Sequence, residues 1–182
     1  ILKSGIKSTA IFHDLYLNNE NGKYSQIDLV VATKVGIVVF EVKEYSGWIF
    51  GNENQINWTQ ILAYGKRKYR FYNPILQNEK HIEDLKKFYH FDNIPIFSMI
   101  VFFGDCKFKN LIDLPSRTFL TKSNKAMMRF NEILENNQPA KYGNKWEIAN
   151  LLKQAVKNGE NSIIREKHIK NIEKIKARNR IY

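Results

Sequence analysis

Cysteine occurs once in the 182 residues, at Cys106. A single thiol excludes an internal disulfide framework and a zinc site built from cysteines. No apolar run approaches the ~20 residues that a membrane-spanning helix requires. Nothing from Ile1 onward has the pattern of a signal or anchor segment, so the expected location is cytoplasmic, with an anchor upstream of Ile1 left open. Internal repeats and low-complexity stretches are missing as well. Acidic residues are scarce: 18 Asp+Glu stand against 29 Lys+Arg, for a formal net charge of +11. His13, His90 and His168 lack ligand spacing, which disfavours a histidine-built zinc site.

What is present is enough for a core. Hydrophobic residues at 43% and aromatics at 13% exclude a disordered chain, because their burial offsets the entropy of ordering it. The length suits one domain, with room for an appendage. The basic excess favours a polyanionic partner, since each neutralised phosphate releases counterions. A solvated surface is the bland alternative. Lys141–Tyr182 holds 11 basic and 4 acidic residues, so most of the excess lies in the last quarter.

Strands are expected at residues 10–17, 26–32, 37–43, 48–50, 95–103 and 118–121. Asn73-Pro74 marks a helix start, with Asn as cap and Pro at the first helical position. Ile75, Ile82, Leu85 and Tyr89 continue it at helical spacing. Further helices are expected over 125–136, 146–157 and from Ser162 to about Arg178. The alternation implies an α/β fold with a central mixed β-sheet flanked by helices.

The chemistry concentrates in Gln26-Ile-Asp28 and Glu41-Val-Lys43. If the connection between them is an even-numbered hairpin centred on Lys34-Val35, Asp28 stands opposite Glu41 and Gln26 opposite Lys43. Alternation then puts all four on one face. Ile27, Leu29, Val31, Val38, Phe40 and Val42 fall on the other, which is assigned to the core. An odd-numbered loop would break this register. Two carboxylates so opposed have Cβ atoms ~5 Å apart and destabilise a hairpin. A divalent cation removes the repulsion, and Mg²⁺ takes one or two carboxylates together with waters and phosphate oxygens. Lys43, one pleat along, is placed to orient or help deprotonate a water, or to offset charge developing on a phosphate. Glu-x-Lys on a strand is otherwise an ordinary solvated face.

Gln26-Ile-Asp28, Gly36-Ile-Val-Val-Phe-Glu41-Val-Lys43, Gly47, Trp58, Asn73-Pro74 and Gln77 with His81 together resemble the nuclease-related domain (NERD) family, within the PD-(D/E)XK nuclease superfamily. The resemblance spans about Phe12 to Phe103. It implies a restriction-endonuclease-like core over residues 1–124, with its N-terminal helix truncated, and a basic helical extension over 125–182. It further implies that Asp28 and Glu41 hold Mg²⁺ or Mn²⁺, that Lys43 is the catalytic lysine, and that Gln77 is an additional polar active-site residue. Gln26 would be a supporting contact. The implied activity is hydrolysis of nucleic-acid phosphodiesters, DNA favoured over RNA, by in-line attack of an activated water that leaves 5′-phosphates. A homodimer, or a place in a larger multidomain nuclease, is implied in the same way. The family commonly begins with a helix carrying Gly-Glu; here Ile1–Gly5 resembles the tail of that helix and no glutamate precedes Glu20.

Other residues are weighed against blander readings. Gln77 and His81 share a helix face, which could close over the site and contact substrate, although His81 alone reads as helix exterior. Lys66, Lys68 and Arg70, interleaved with Tyr69, Phe71 and Tyr72, suit phosphate contact and base stacking. Aromatics beside a helix start also serve as core-facing staples. Trp48 and Trp58 read as packing residues, and Trp146, Leu151 and Leu152 as an apolar stripe. Cys106 has no base partner that would make it a nucleophile. Two rivals stand beside the nuclease: a non-catalytic nucleic-acid-binding or interaction module that keeps the fold, and a scaffold tethered through an upstream anchor.

Overall fold

The computed structural model describes residues 1, 5–18, 22–62, 65–89, 91, 93–109 and 114–179. Strands β1 (Ile11–Asn18), β2 (Tyr24–Thr33) and β3 (Gly36–Lys43) form an antiparallel meander. Three short strands follow, β4 (Gly47–Phe50), β5 (Asn57–Leu62) and β6 (Arg67–Tyr72), and then helix α1 (Pro74–Tyr89). Strands β7 (Ile96–Phe102), β8 (Cys106–Lys109) and β9 (Thr118–Lys122) precede helices α2 (Ser123–Asn136), α3 (Lys145–Glu160) and α4 (Ser162–Asn179).

The main sheet has the order β1-β2-β3-β7-β9, with β7 parallel to both of its neighbours. Every residue of β7 is buried, as its unbroken apolar run requires of a parallel strand covered on both faces. On one face Ile27, Val30, Ile37 and Val39 pack with Leu85 of α1 and Leu152 of α3. On the other, Val31, Val38, Phe40 and Met99 pack with Phe130 and Ile133 of α2.

The turn between β2 and β3 has two residues, and Thr33 pairs with Gly36. The Thr33 hydroxyl donates to the Gly36 carbonyl at 2.7 Å and accepts from the Val35 N–H at 3.2 Å. Gly36 has φ +142°, and a Cβ there would overlap the Pro95 carbonyl oxygen. That carbonyl accepts the Ile37 N–H at 2.9 Å, so only glycine lets β3 start so close to the segment leading into β7.

The second sheet, in the order β6-β5-β4-β8, is an addition to the single central sheet expected from the sequence. Its inner residues Ile49, Trp58 and Cys106 pack with Ile75 of α1 and with Ile100 and Phe102 of β7. Strand β6 is an exposed edge strand and not a staple beside the helix; only Phe71 is partly buried, stacked on Tyr45 with centroids 4.2 Å apart. Trp48 is 39% exposed, so its assignment to packing is corrected, whereas Trp58 is fully buried. The stripe on α3 is corrected as well, because Trp146 is exposed while Leu152 is buried. Among the described residues, no helix is long and apolar enough to cross a membrane. Residues 2–4, on which the reading of a truncated N-terminal helix falls, lie outside the described residues, as does His90.

Candidate active site

Glu41 and Lys43 lie two residues apart on β3 and share the face covered by α1. Helix α1 is aimed at them by the residue that caps it. The Asn73 side-chain oxygen accepts the Ile75 N–H at 2.9 Å, and its amide donates to the carbonyls of Asn52, Glu53 and Gln55 at 3.1, 3.1 and 2.7 Å. One buried asparagine thus caps the helix and ties it to the turn before β5. A turn further on, the Asn78 amide donates to the Val39 carbonyl at 2.9 Å and to the Ser98 hydroxyl at 2.8 Å. These bonds clamp α1 to β3 and β7 and bring Gln77 and His81 over the acids.

Lys43 Nζ is ion-paired with Glu41 Oε1 and donates to Gln77 Oε1 at 3.0 Å. His81 is 6% exposed, which corrects its reading as helix exterior. Its Nε2 lies 3.5 Å from Glu41 Oε2, and its Nδ1 lies 3.0 Å from the Ser25 hydroxyl. Glu41, at 2% exposure, therefore sits between a lysine and an imidazole. Even so, Glu41 Oε2 and His81 Nε2 are both buried without a hydrogen-bond partner, because the contact between them is too loose to count as one.

Asp28 stands one register step beyond Leu29–Phe40, where the β2–β3 pairing stops, so the register expected for the hairpin is the one found. Past this point the carboxylate stands in for the ladder, with Asp28 Oδ2 accepting the Val42 N–H at 2.8 Å. The strands part here and the alternation of β2 slips. Ile27 consequently packs on the α1 face with Ile37 and Val39, and Val42 is 38% exposed. Both depart from the core-facing set that strict alternation predicts. Burial first, and the Glu41 charge second, push the Asp28 carboxyl above its ordinary value; the Val42 N–H, Lys43 and His81 oppose the rise. An Asp28 carboxyl raised by burial and by the Glu41 charge, beside a Glu41 oxygen buried without a partner, fits a divalent cation that takes hard oxygen donors. Among the described residues no group of three or more Asp, Glu, His or Cys could hold a metal, so any ligands beyond Asp28 and Glu41 would be water or phosphate oxygens.

Other expected contributors lie elsewhere. The Gln26 amide faces Asp14 Oδ1 at 3.4 Å. Lys66, Lys68 and Arg70 are exposed on or just before β6. Ser25 and Asn78 escaped the sequence reading. The signal for Asn78 was available: Ile75 and Leu85 are buried, and a helix face that contains both also contains positions 78 and 81.

The family profile described as "Nuclease-related domain" (NERD) matches residues 2–103. An uncharacterized protein of Bacillus anthracis is 35% identical over 105 residues, covering 58% of this chain and 48% of that protein. The chain thus spans about half the length of the curated relative it matches. No solved structure gives a significant match. With more than half of its residues inside the profile, and Asp28, Glu41, Lys43 and Gln77 within the matched span, the chain belongs to the nuclease-related domain family.

Proposed function

We propose that the protein is a metal-dependent nuclease that hydrolyses phosphodiester bonds, DNA in preference to RNA, with Asp28, Glu41, Lys43 and Gln77 at the reaction centre. The observation that carries this reading is the junction of Lys43 Nζ with both Glu41 Oε1 and Gln77 Oε1 beside an Asp28 carboxyl whose charge is disfavoured by burial and then by Glu41. Asp28 and Glu41 would hold Mg²⁺ or Mn²⁺, which when bound supplies Lewis acidity toward the phosphate and toward water. An ammonium has three N–H donors. Glu41 and Gln77 engage two of those on Lys43, which leaves one for the attacking water or a phosphate oxygen. Gln77, fixed on α1, keeps Lys43 pointed along that line, and the Val42 N–H keeps Asp28 in place. The water oxygen forms its bond to phosphorus as the bond to the 3′ oxygen breaks, giving a 5′-phosphate and a 3′-hydroxyl. Lys66, Lys68 and Arg70 would contact backbone phosphates away from the scissile one.

The test is incubation with linear, circular and single-stranded DNA, and with RNA, with and without Mg²⁺ or Mn²⁺. Asp28→Ala and Lys43→Ala are assayed alongside, with circular dichroism to confirm folding. Cation-dependent cleavage lost in both variants is expected. Cleavage that survives both substitutions places the activity elsewhere. Binding with no cleavage under either cation identifies a non-catalytic nucleic-acid-binding module.

A further inference from the structure

Apart from Lys68 and Arg70, the outer face of the second sheet has no part in the site just described. Residues paired across strands share a face. The register therefore aligns Lys107, Trp48, Ile61 and Lys68 in one row, Lys109, Phe50, Thr59 and Arg70 in the next, and Tyr72 opposite Asn57 beyond them. The alternate residues Ile49, Trp58, Gln60 and Cys106 are buried, so these rows face outward. Trp48 is 39% and Tyr72 48% exposed, and Lys68, Arg70, Lys107 and Lys109 are all exposed. Strands β4, β5, β6 and β8 contain no aspartate or glutamate. Among the described residues, none of the four cations forms a salt bridge. Lys109 Nζ instead sits over the Trp48 ring, 5.7 Å from its centroid, an arrangement that holds a cation beside an exposed aromatic plane.

We infer that this face binds single-stranded nucleic acid, with unpaired bases stacking on Trp48 and Tyr72 and backbone phosphates meeting Lys68, Arg70, Lys107 and Lys109. The choice of a nucleic acid rests on the nuclease reading. The mode follows from the surface: aromatic planes flanked on both edges by unpaired cations match a strand whose bases are free to stack. A duplex keeps its base faces to itself. The placement joins this face to the acids as well. Gly47, the start of β4, follows Lys43 by four residues, a span of at most about 14 Å, and β6 runs directly into Asn73, the cap of the helix that carries Gln77. A strand lying on the sheet is thereby delivered next to the site.

The experiment is fluorescence anisotropy of a short labelled oligo(dT), and of a duplex of equal length, against the full chain in EDTA so that nothing is cleaved. Trp48→Ala is expected to weaken oligo(dT) binding about tenfold. Lys107→Ala combined with Lys109→Ala is expected to flatten the dependence of log K on log salt by about 1.4. All three positions are exposed, and unchanged thermal melts confirm that the fold is kept. Unchanged oligo(dT) affinity in Trp48→Ala, or equal affinity of the wild type for the duplex, overturns the inference. The two readings fail separately. Trp48-dependent binding without cleavage under any cation removes the nuclease and keeps the platform, whereas cation-dependent cleavage by a protein whose oligo(dT) binding ignores Trp48 does the reverse.

Discussion

Asp28→Asn should make the protein more stable and, by the same change, unresponsive to divalent cations. The wild-type side chain is half-buried next to a Glu41 that is almost fully buried, and both effects raise its pKa. A carboxyl whose folded pKa lies above the unfolded one binds its proton more readily when folded, so its contribution to stability is unfavourable at neutral pH and disappears as pH falls through the folded pKa. Unit charges ~5 Å apart repel by about 0.8 kcal/mol in a water-like dielectric and about 3 kcal/mol at an effective constant of 20. With Lys43 and His81 opposing that repulsion, about 1 kcal/mol is a fair net. Asparagine keeps an oxygen for the Val42 N–H and loses the charge. For a chain of this length that corresponds to a rise of about 2–4 °C in Tm at pH 7, with the gap to wild type closing as the pH falls through the raised pKa toward the unfolded value. The wild type, in contrast, should gain about 2.7 kcal/mol at Mn²⁺ or Mg²⁺ a hundredfold above Kd, and the variant little. A thermal-shift titration of both proteins, each in EDTA and across cation concentration, makes the two curves cross. A lower Tm for Asp28→Asn in EDTA, or equal cation responses in the two proteins, refutes the opposed-carboxylate account.

Lys43→Ala leaves Glu41 buried with neither oxygen paired, which costs about 3 kcal/mol or more; melting in EDTA should show the loss, and adding Glu41→Gln should recover most of it without restoring cleavage. Asn73→Ala removes a helix cap and the donor to three carbonyls and should cost roughly 2–4 kcal/mol by urea denaturation. Asn73→Asp should not rescue it, since a carboxylate would then face those three carbonyl oxygens. Burial raises the Cys106 pKa, so the thiol should resist an aromatic disulfide reagent at pH 8 until the protein unfolds; rapid labelling of the native protein would contradict its position in the core.

The hairpin was legible because its signals are local: a two-residue turn, period-two alternation and an acid on each strand are enough to set Asp28 across from Glu41. The second sheet was not, and its composition explains why. Strand β6 reads Arg-Lys-Tyr-Arg-Phe-Tyr, with no apolar alternation because its outer face and its free edge both meet solvent, and charge on an edge strand is what keeps it from pairing with another chain. Strand β8 has four residues, of which only Cys106 is fully buried, too short a run for periodicity to register. His81 was hidden differently. Taken alone, an imidazole four residues beyond a glutamine reads as a polar helix face. Only with Ile75 and Leu85 fixed as buried does the stripe through 78 and 81 face inward, where a polar side chain needs a partner. That stripe carries an amide bound to β3 and β7 and an imidazole whose Nε2 has no partner beyond the loose approach to Glu41. Fold stability alone favours apolar residues at both positions. The polar stripe and the opposed carboxylates are thus two departures from local stability preferences meeting at one carboxylate, Glu41, and such coincident departures are expected where a fold has been shaped for chemistry.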